Sequence, residues 1–234
     1  MLLNAYRRFI ILLDRFLTTI YVRKFEVVGR DNVPVEGPLI LASNHLNNAD
    51  PPVVALAMPR YPTFMAKREM IRWPILGPAF RIFGAFPVRR GEADLSALRL
   101  ACDLVNQGKL LVMFPEGTRS RTGGLTRGHP GTALVALRTG APIMPVAITG
   151  SEHLGWPWIF LRPWSVKHIK VVVGEPFHLP PVERITSEAT REATDVIMRR
   201  IAAMLPPEYR GVYAETAAEA APRPDPEPTR YTGT

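Results

Sequence analysis

Apolar residues at the start of the chain return at helical intervals. Leu2, Leu3, Tyr6, Phe9, Ile10, Leu13, Phe16, Leu17 and Ile20 form one stripe, with Asn4, Arg7, Arg8, Asp14, Arg15 and Thr18 on the other face. This spacing predicts an amphipathic helix over residues 1–24. Its longest unbroken apolar run, Phe9 to Leu13, is cut by Asp14 and Arg15, whereas a membrane span needs about 20 mostly apolar residues. The same period suits a helix packed on its own domain; arginines beside large aromatics favour a helix lying along a membrane surface. A secretory signal would place its positive charges ahead of the apolar stretch and offer a small-residue cleavage site, and neither is evident.

From residue 25 the period alternates between strand-like and helical. Strands are expected at Phe25 to Val28, Leu39 to Ser43, Thr63 to Ala66, Leu110 to Phe114, Ile143 to Ile148 and Ile169 to Val173. Helices are expected at Pro51 to Met58, around Asp94 to Gln107 and around Thr132 to Thr139. A final one, Ser187 to Leu205, turns Ala189, Ala193, Val196, Ile197 and Ile201 inward. Such alternation predicts an α/β fold: a single domain over residues 25–205, its largely parallel sheet flanked by helices on both faces. Residues 206–234 are rich in Pro and Ala, and Ala214 to Thr234 reads as a disordered tail.

Composition narrows the partners. A length of 234 residues with 47% hydrophobic content can bury one substantial core. The excess of 29 Lys and Arg over 21 Asp and Glu gives a formal charge of +8, which suits an anionic membrane surface or a phosphorylated substrate. Nucleic acid is not expected, because the basic residues are scattered and no recognition motif appears. The single cysteine, Cys102, permits no internal disulfide, and no Cys/His spacing matches a zinc site, so no metal is expected and a cytosol-facing location fits best. Cys102 falls in a predicted helix where burial is the default. His129, His153, His168 and His178 have no acidic or cysteine partner at motif spacing and are read as structural. Trp156, Trp158, Phe160 and Trp164 beside Arg162 suit either an interfacial aromatic patch or core packing.

The chemistry concentrates at strand ends. Strand 38–43 runs into Asn44-His45 and then Asp50-Pro51, and loops leaving the carboxyl ends of strands are where α/β sheets place their sites. Asp50 before a proline reads as a helix N-cap. The loop can fold the His45 ring back onto that carboxylate, which would fix the tautomer and stabilise the imidazolium of a general base. A second strand ends in Phe114-Pro115-Glu116-Gly117-Thr118-Arg119-Ser120. A glycine, a hydroxyl and an arginine in such a loop can bring backbone N–H groups and a guanidinium onto phosphate oxygens.

Asn44-His45 with Asp50 resembles the N-H-x4-D block of the PlsC-like glycerolipid acyltransferases, the family that includes 1-acylglycerol-3-phosphate acyltransferases. Phe114 to Ser120 is similar, position for position, to that family's F-P-E-G-T-R-S block. Gly84 to Gly91 resembles its G-x-x-F-I-x-R block, with Pro87 where Phe is usual and Arg89 where an acidic residue often stands. Ala141 to Val146 resembles its fourth block. The resemblance covers about residues 39–150. It implies His45 and Asp50 as the catalytic pair and Asn44, Arg89, Arg90, Glu116, Gly117, Thr118 and Arg119 as substrate-binding residues. Spacing favours Arg90 over Arg89 for the phosphate.

The reaction so implied is direct acyl transfer, without cofactor, from acyl-CoA or acyl-carrier protein to the free hydroxyl of lysophosphatidate at the cytoplasmic face of the cell membrane. The same chemistry on glycerol 3-phosphate or another lysolipid is the nearest alternative. A non-catalytic protein that docks on anionic lipid is an alternative of a different class.

Overall fold

The computed structural model describes residues 18–67, 86–88, 95–154 and 166–216, with Leu12 and Phe16 ahead of them. Its strands are β1 (Phe25–Val28), β2 (Leu39–Ser43), β3 (Pro62–Lys67), β4 (Phe86–Val88), β5 (Leu110–Met113), β6 (Ile143–Thr149) and β7 (Ile169–Val173). Its helices are α1 (Asp50–Ala57), α2 (Leu95–Asn106), α3 (Gly131–Thr139) and α4 (Ser187–Met204). Each strand anticipated from the sequence is present within a residue or two, and β4 is added.

The strands form one sheet in the order β1-β7-β6-β2-β5-β3-β4. β6, β2, β5, β3 and β4 run parallel, because α1, α2 and α3 supply the crossovers that parallel neighbours require. β7 reverses direction against β6 and pairs parallel with β1 at the edge. Pro145 lies inside β6 although proline cannot donate to a ladder. Its carbonyl accepts from Gly174 N at 2.9 Å, just beyond the last β6–β7 pair, Val146 with Val173, so the missing N–H falls where that ladder ends.

Successive strand residues feed opposite layers. Leu39, Leu41, Leu110, Val112, Met144, Val146 and Ile148 pack with Val53, Val54 and Ala57 of α1 on one face. On the other, Ile40, Ala42, Leu111, Met113, Ile143 and Ala147 meet α2, α3 and α4. A helical layer on each face explains why β2 and β5 read as unbroken apolar runs, both faces being buried along their length.

α4 buries Ala193, Ile197 and Ile201 as expected, but its inward stripe is centred further from Val196 and Ala189 and takes in two threonines. Thr190, Ala193, Thr194, Ile197, Met198, Ile201 and Ala202 are buried, while Val196 is 39% exposed and Ala189 only half-buried. The threonines bury at little cost because their hydroxyls donate to carbonyls one turn back, Thr190 to Thr186 and Thr194 to Thr190, both at 2.7 Å. Cys102 is half-buried, and burial pushes its thiol up. Packed structure continues past residue 205 through short 3-10 turns at Pro207–Tyr209 and Gly211–Tyr213, and Tyr213 joins the core. Most of the amphipathic stretch 1–24, the Trp156 to Trp164 segment and residues 217–234 lie outside the described residues.

Candidate active site

The sheet order sets β2 between β6 and β5, so the loops leaving the carboxyl ends of these three strands converge. The β2 loop carries Asn44, His45 and Asp50, the β5 loop Glu116 to Arg119, and the β6 exit a 3-10 turn, Ser151–His153. Asn44 ties the first of these loops to β6: its amide donates to Ile148 O at 2.8 Å, and its oxygen accepts from Ile148 N at 2.7 Å. This bidentate link extends the β2–β6 pairing past the end of the strand. It leaves Asn44 buried at 2% exposure, holding the backbone on which His45 sits.

His45 and Asp50 meet as the sequence suggests, with Nδ1 2.7 Å from Asp50 Oδ2 in a pocket where the two residues are 5% and 0% exposed. Asp50 is nonetheless not the helix cap. It is the first residue of α1, behind Ala49, and no side chain caps that end. Its carboxylate points back into the loop instead. Oδ2 also accepts from the main-chain N–H groups of Leu46 at 2.6 Å and Asn47 at 2.7 Å, and Oδ1 from the Ser151 hydroxyl at 2.6 Å. An acceptor so surrounded by donors is matched to an ionised carboxylate, and Nδ1 is then the protonated ring nitrogen. The lone pair is left on Nε2, at the far side of the ring.

The imidazole also stacks on Phe114, with ring centroids 4.2 Å apart and planes inclined by 23°. Ring stacking on one face and the Asp50 bond at one edge leave the ring little freedom to turn. Its backbone is fixed too: His45 N donates to Glu116 Oε1 at 3.0 Å, and His45 O accepts from Ser120 N at 2.7 Å.

Glu116 sits deep in this arrangement at 1% exposure, and its other oxygen accepts from Thr126 N at 2.9 Å and Thr126 Oγ1 at 2.8 Å. Both of its oxygens are therefore engaged inside the protein, crosslinking the β2 and β5 loops. Gly117, Thr118 and Arg119 are exposed at the tip of the β5 loop. Gly117 adopts φ 64°, and a Cβ there would come within 2.8 Å of the His129 ring, so the turn requires glycine. Arg89 and Arg90 lie outside the described residues. Just before them, Val88 ends β4 in parallel register with Lys67, so β4 points to the same edge of the sheet as β2.

Sequence reasoning missed the supports drawn from afar. Ser151 and Thr126 carry no motif, although Ser151 follows a strand end and Gly150, where a site residue could be sought. Phe114 was part of a recognised block without a role. His153 and His168 do meet carboxylates in space, at 3.5 Å from Glu152 and 3.2 Å from Glu26. Among the described residues, no group of three or more His, Cys, Asp or Glu side chains could hold a metal ion.

Comparison with known proteins identifies this architecture. The 1-acyl-sn-glycerol-3-phosphate acyltransferase BAT2, chloroplastic, of Brassica napus is 28% identical over 175 residues, covering 74% of this chain and 50% of the relative. The 1-acyl-sn-glycerol-3-phosphate acyltransferase of Bacillus subtilis is 27% identical over 172 residues, covering 69% of this chain and 81% of the relative. A lyso-ornithine lipid O-acyltransferase of Pseudomonas aeruginosa is 32% identical over 127 residues, covering 53% of this chain and 48% of the relative. The chain thus spans about half the length of the first plant relatives. The crystal structure of the 1-acyl-sn-glycerophosphate acyltransferase PlsC from Thermotoga maritima has the same fold, with a TM-score of 0.64 at 24% identity over 83% of this chain and 78% of that one. The family model described as Acyltransferase matches residues 24–149, which include the β2 and β5 loops, and the chain belongs to the Acyltransferase family.

Proposed function

We propose that the protein transfers a fatty acyl group from acyl-CoA or an acyl-carrier protein to the free hydroxyl of lysophosphatidate, giving phosphatidate. The observation that carries this reading is the buried His45–Asp50 pair, in which the bond at Nδ1 leaves Nε2 as the basic atom. The names of the relatives favour lysophosphatidate as acceptor.

In this mechanism Nε2 takes the proton of the acceptor hydroxyl as its oxygen attacks the thioester carbonyl carbon. The carbonyl electron pair moves onto oxygen, and Asp50 stabilises the imidazolium that forms. Collapse of the tetrahedral intermediate breaks the C–S bond, and the imidazolium returns its proton to the departing thiolate. The products are an ester and a free thiol. Arg119 at the loop tip, with Arg89 or Arg90, would hold the acceptor's phosphate and so position the hydroxyl. Glu116 and Asn44 serve the same end indirectly, by holding the His45 main chain.

The amphipathic segment would bring the enzyme to its lipid substrate on one leaflet. Leu12 and Phe16 are helical and remain 61% and 62% exposed, as an apolar face awaiting a membrane would be. Among the described residues no helix is long and apolar enough to cross a membrane.

The acceptor is tested by incubating the protein with radiolabelled acyl-CoA or acyl-carrier protein and a panel of lysophosphatidate, glycerol 3-phosphate and other lysolipids, followed by separation of the products. Labelled phosphatidate as the main product is expected. Because one relative is named for a lyso-ornithine lipid, that lipid belongs in the panel, and its preferential acylation would replace the proposed acceptor. Absence of turnover with every acceptor would leave the lipid-docking reading in its place.

A further inference from the structure

We propose that Tyr209 is a positioning residue for the His45–Asp50 pair, bracing both members at once from a short strap that follows the last helix. The kinetic consequence rests on the acyl-transfer reading, while the bracing itself does not.

The strap begins where α4 stops. Arg210 Nε donates to Leu205 O at 2.9 Å and folds residues 205–210 back on themselves. The chain then runs along the β5 loop as a short backbone ladder, with Leu125 N donating to Tyr209 O at 2.9 Å and Val212 N to Leu125 O at 3.1 Å. The approach is close enough to demand glycine. A Cβ on Gly211, whose φ is 52°, would sit 2.1 Å from Leu125 O, and one on Gly124 would sit 2.9 Å from Gly211 Cα. Tyr213 anchors the far end at 7% exposure.

Two arms leave Tyr209. Through its backbone it holds Leu125, and the next residue, Thr126, gives its N–H and hydroxyl to Glu116 Oε2, while Glu116 Oε1 accepts the N–H of His45. Through its hydroxyl it donates to Glu152 Oε1 at 2.5 Å, and the neighbour of Glu152, Ser151, donates to Asp50 Oδ1 at 2.6 Å. One arm thus ends on the histidine and the other on the aspartate. Burial, followed by the bond to Glu152, pushes the Tyr209 hydroxyl up to about 12, so it stays a donor at neutral pH.

The Glu152 end is delicately held. Its Oε2 is buried and has no hydrogen-bond partner among the described residues. Without the tyrosine hydroxyl, Oε1 keeps, among the described residues, only His153 Nε2 at 3.5 Å, and the carboxylate gains by turning to water. That rotation would pull on the 3-10 turn that carries Ser151. The backbone arm survives a Tyr209→Phe change, so the variant isolates the arm to Asp50.

The test uses the full chain and two readouts. The first is the low-field Nδ1–H proton resonance of His45, assigned by its loss in His45→Asn, and Tyr209→Phe should shift or broaden it. The second is steady-state kinetics. Tyr209→Phe should lower kcat about tenfold, less than the roughly 10²-fold that a 1 Å misplacement costs, with KM for donor and acceptor unchanged. Glu152→Gln, whose amide oxygen can still accept from Tyr209, should retain more turnover than Glu152→Ala, and Tyr209→Phe combined with Glu152→Ala should be no worse than the more impaired single variant. An unchanged resonance and unchanged kcat, with only the melting temperature lowered, would overturn the proposal and leave Tyr209 a packing residue. If wild type shows no acyl transfer, the functional reading falls, while the resonance still decides the bracing.

Discussion

Glu116→Gln replaces one oxygen with an NH2 group and keeps the shape of the side chain, so its effect follows from hydrogen-bond accounting. Both carboxylate oxygens face donors that cannot all reverse: the main-chain N–H of His45 on one side, and the main-chain N–H and hydroxyl of Thr126 on the other. A glutamine has one accepting oxygen. Turned toward Thr126 it keeps two of the three bonds and sets its NH2 against the His45 N–H, formerly bonded at 3.0 Å. Turned the other way it strands the Thr126 N–H. The better orientation still loses a bond to a charged group and leaves a buried N–H unsatisfied, at about 2 kcal/mol. For a domain of this size that lowers Tm by about 4–8 °C. Turnover should fall with it, because the His45 backbone is no longer held, whereas acceptor KM should change little, because Glu116 is only 1% exposed. Thermal melting followed by circular dichroism, with initial rates on the same preparations, measures both. A variant that melts with wild type but shows a raised acceptor KM would refute this reasoning and place Glu116 against the substrate.

Three further expectations follow from the same geometry. His45→Ala should keep its circular dichroism spectrum and lose about 10²- to 10⁴-fold in acyl transfer, and Asp50→Asn should be similarly impaired with its hydrogen bonds largely preserved, since an amide oxygen can face the Oδ2 donors and its nitrogen can face the Ser151 hydroxyl; near wild-type turnover in either would end the general-base mechanism. Arg119→Ala should raise acceptor KM about tenfold with donor KM unaffected; equal constants in mutant and wild type would remove Arg119 from the site. Deleting the amphipathic segment should weaken binding to anionic vesicles in a flotation assay; wild-type resistance to alkaline carbonate extraction would contradict surface attachment.

The fold was legible because its strands are of the kind that announce themselves. β2, β5 and β6 are apolar without interruption because helices cover both faces, and their ends coincide with the residues that carry the chemistry. α4 was legible in its extent and in the inward turn of Ala193, Ile197 and Ile201, and not in the exact centre of its buried stripe. Thr190 and Thr194 read as polar positions, yet a hydroxyl bonded one turn back buries readily, which swings the inward stripe away from Val196. β4 escaped notice because three residues that include Pro87 give no period to detect.

Within the site, what could be read was local and what could not was long-range. His45 and Asp50 are five residues apart, and a single turn suffices to join them. The same carboxylate takes its fourth donor from Ser151, 101 positions away, and the histidine backbone takes its brace from Glu116, 71 positions away. No spacing rule encodes such partners, because they are set by the sheet order, which places β2 between β5 and β6. The order also explains why those partners are short or buried polar residues at strand exits: each needs only to reach across one strand spacing, about 4.8 Å. Asp50 was misread as a cap for a related reason. Sequence shows an aspartate before a proline at a helix start, where an N-terminal N–H group would be the default partner. Here the donors of the preceding loop and the imidazole outcompete the helix for that carboxylate, so α1 begins uncapped and the charge is held against the histidine instead.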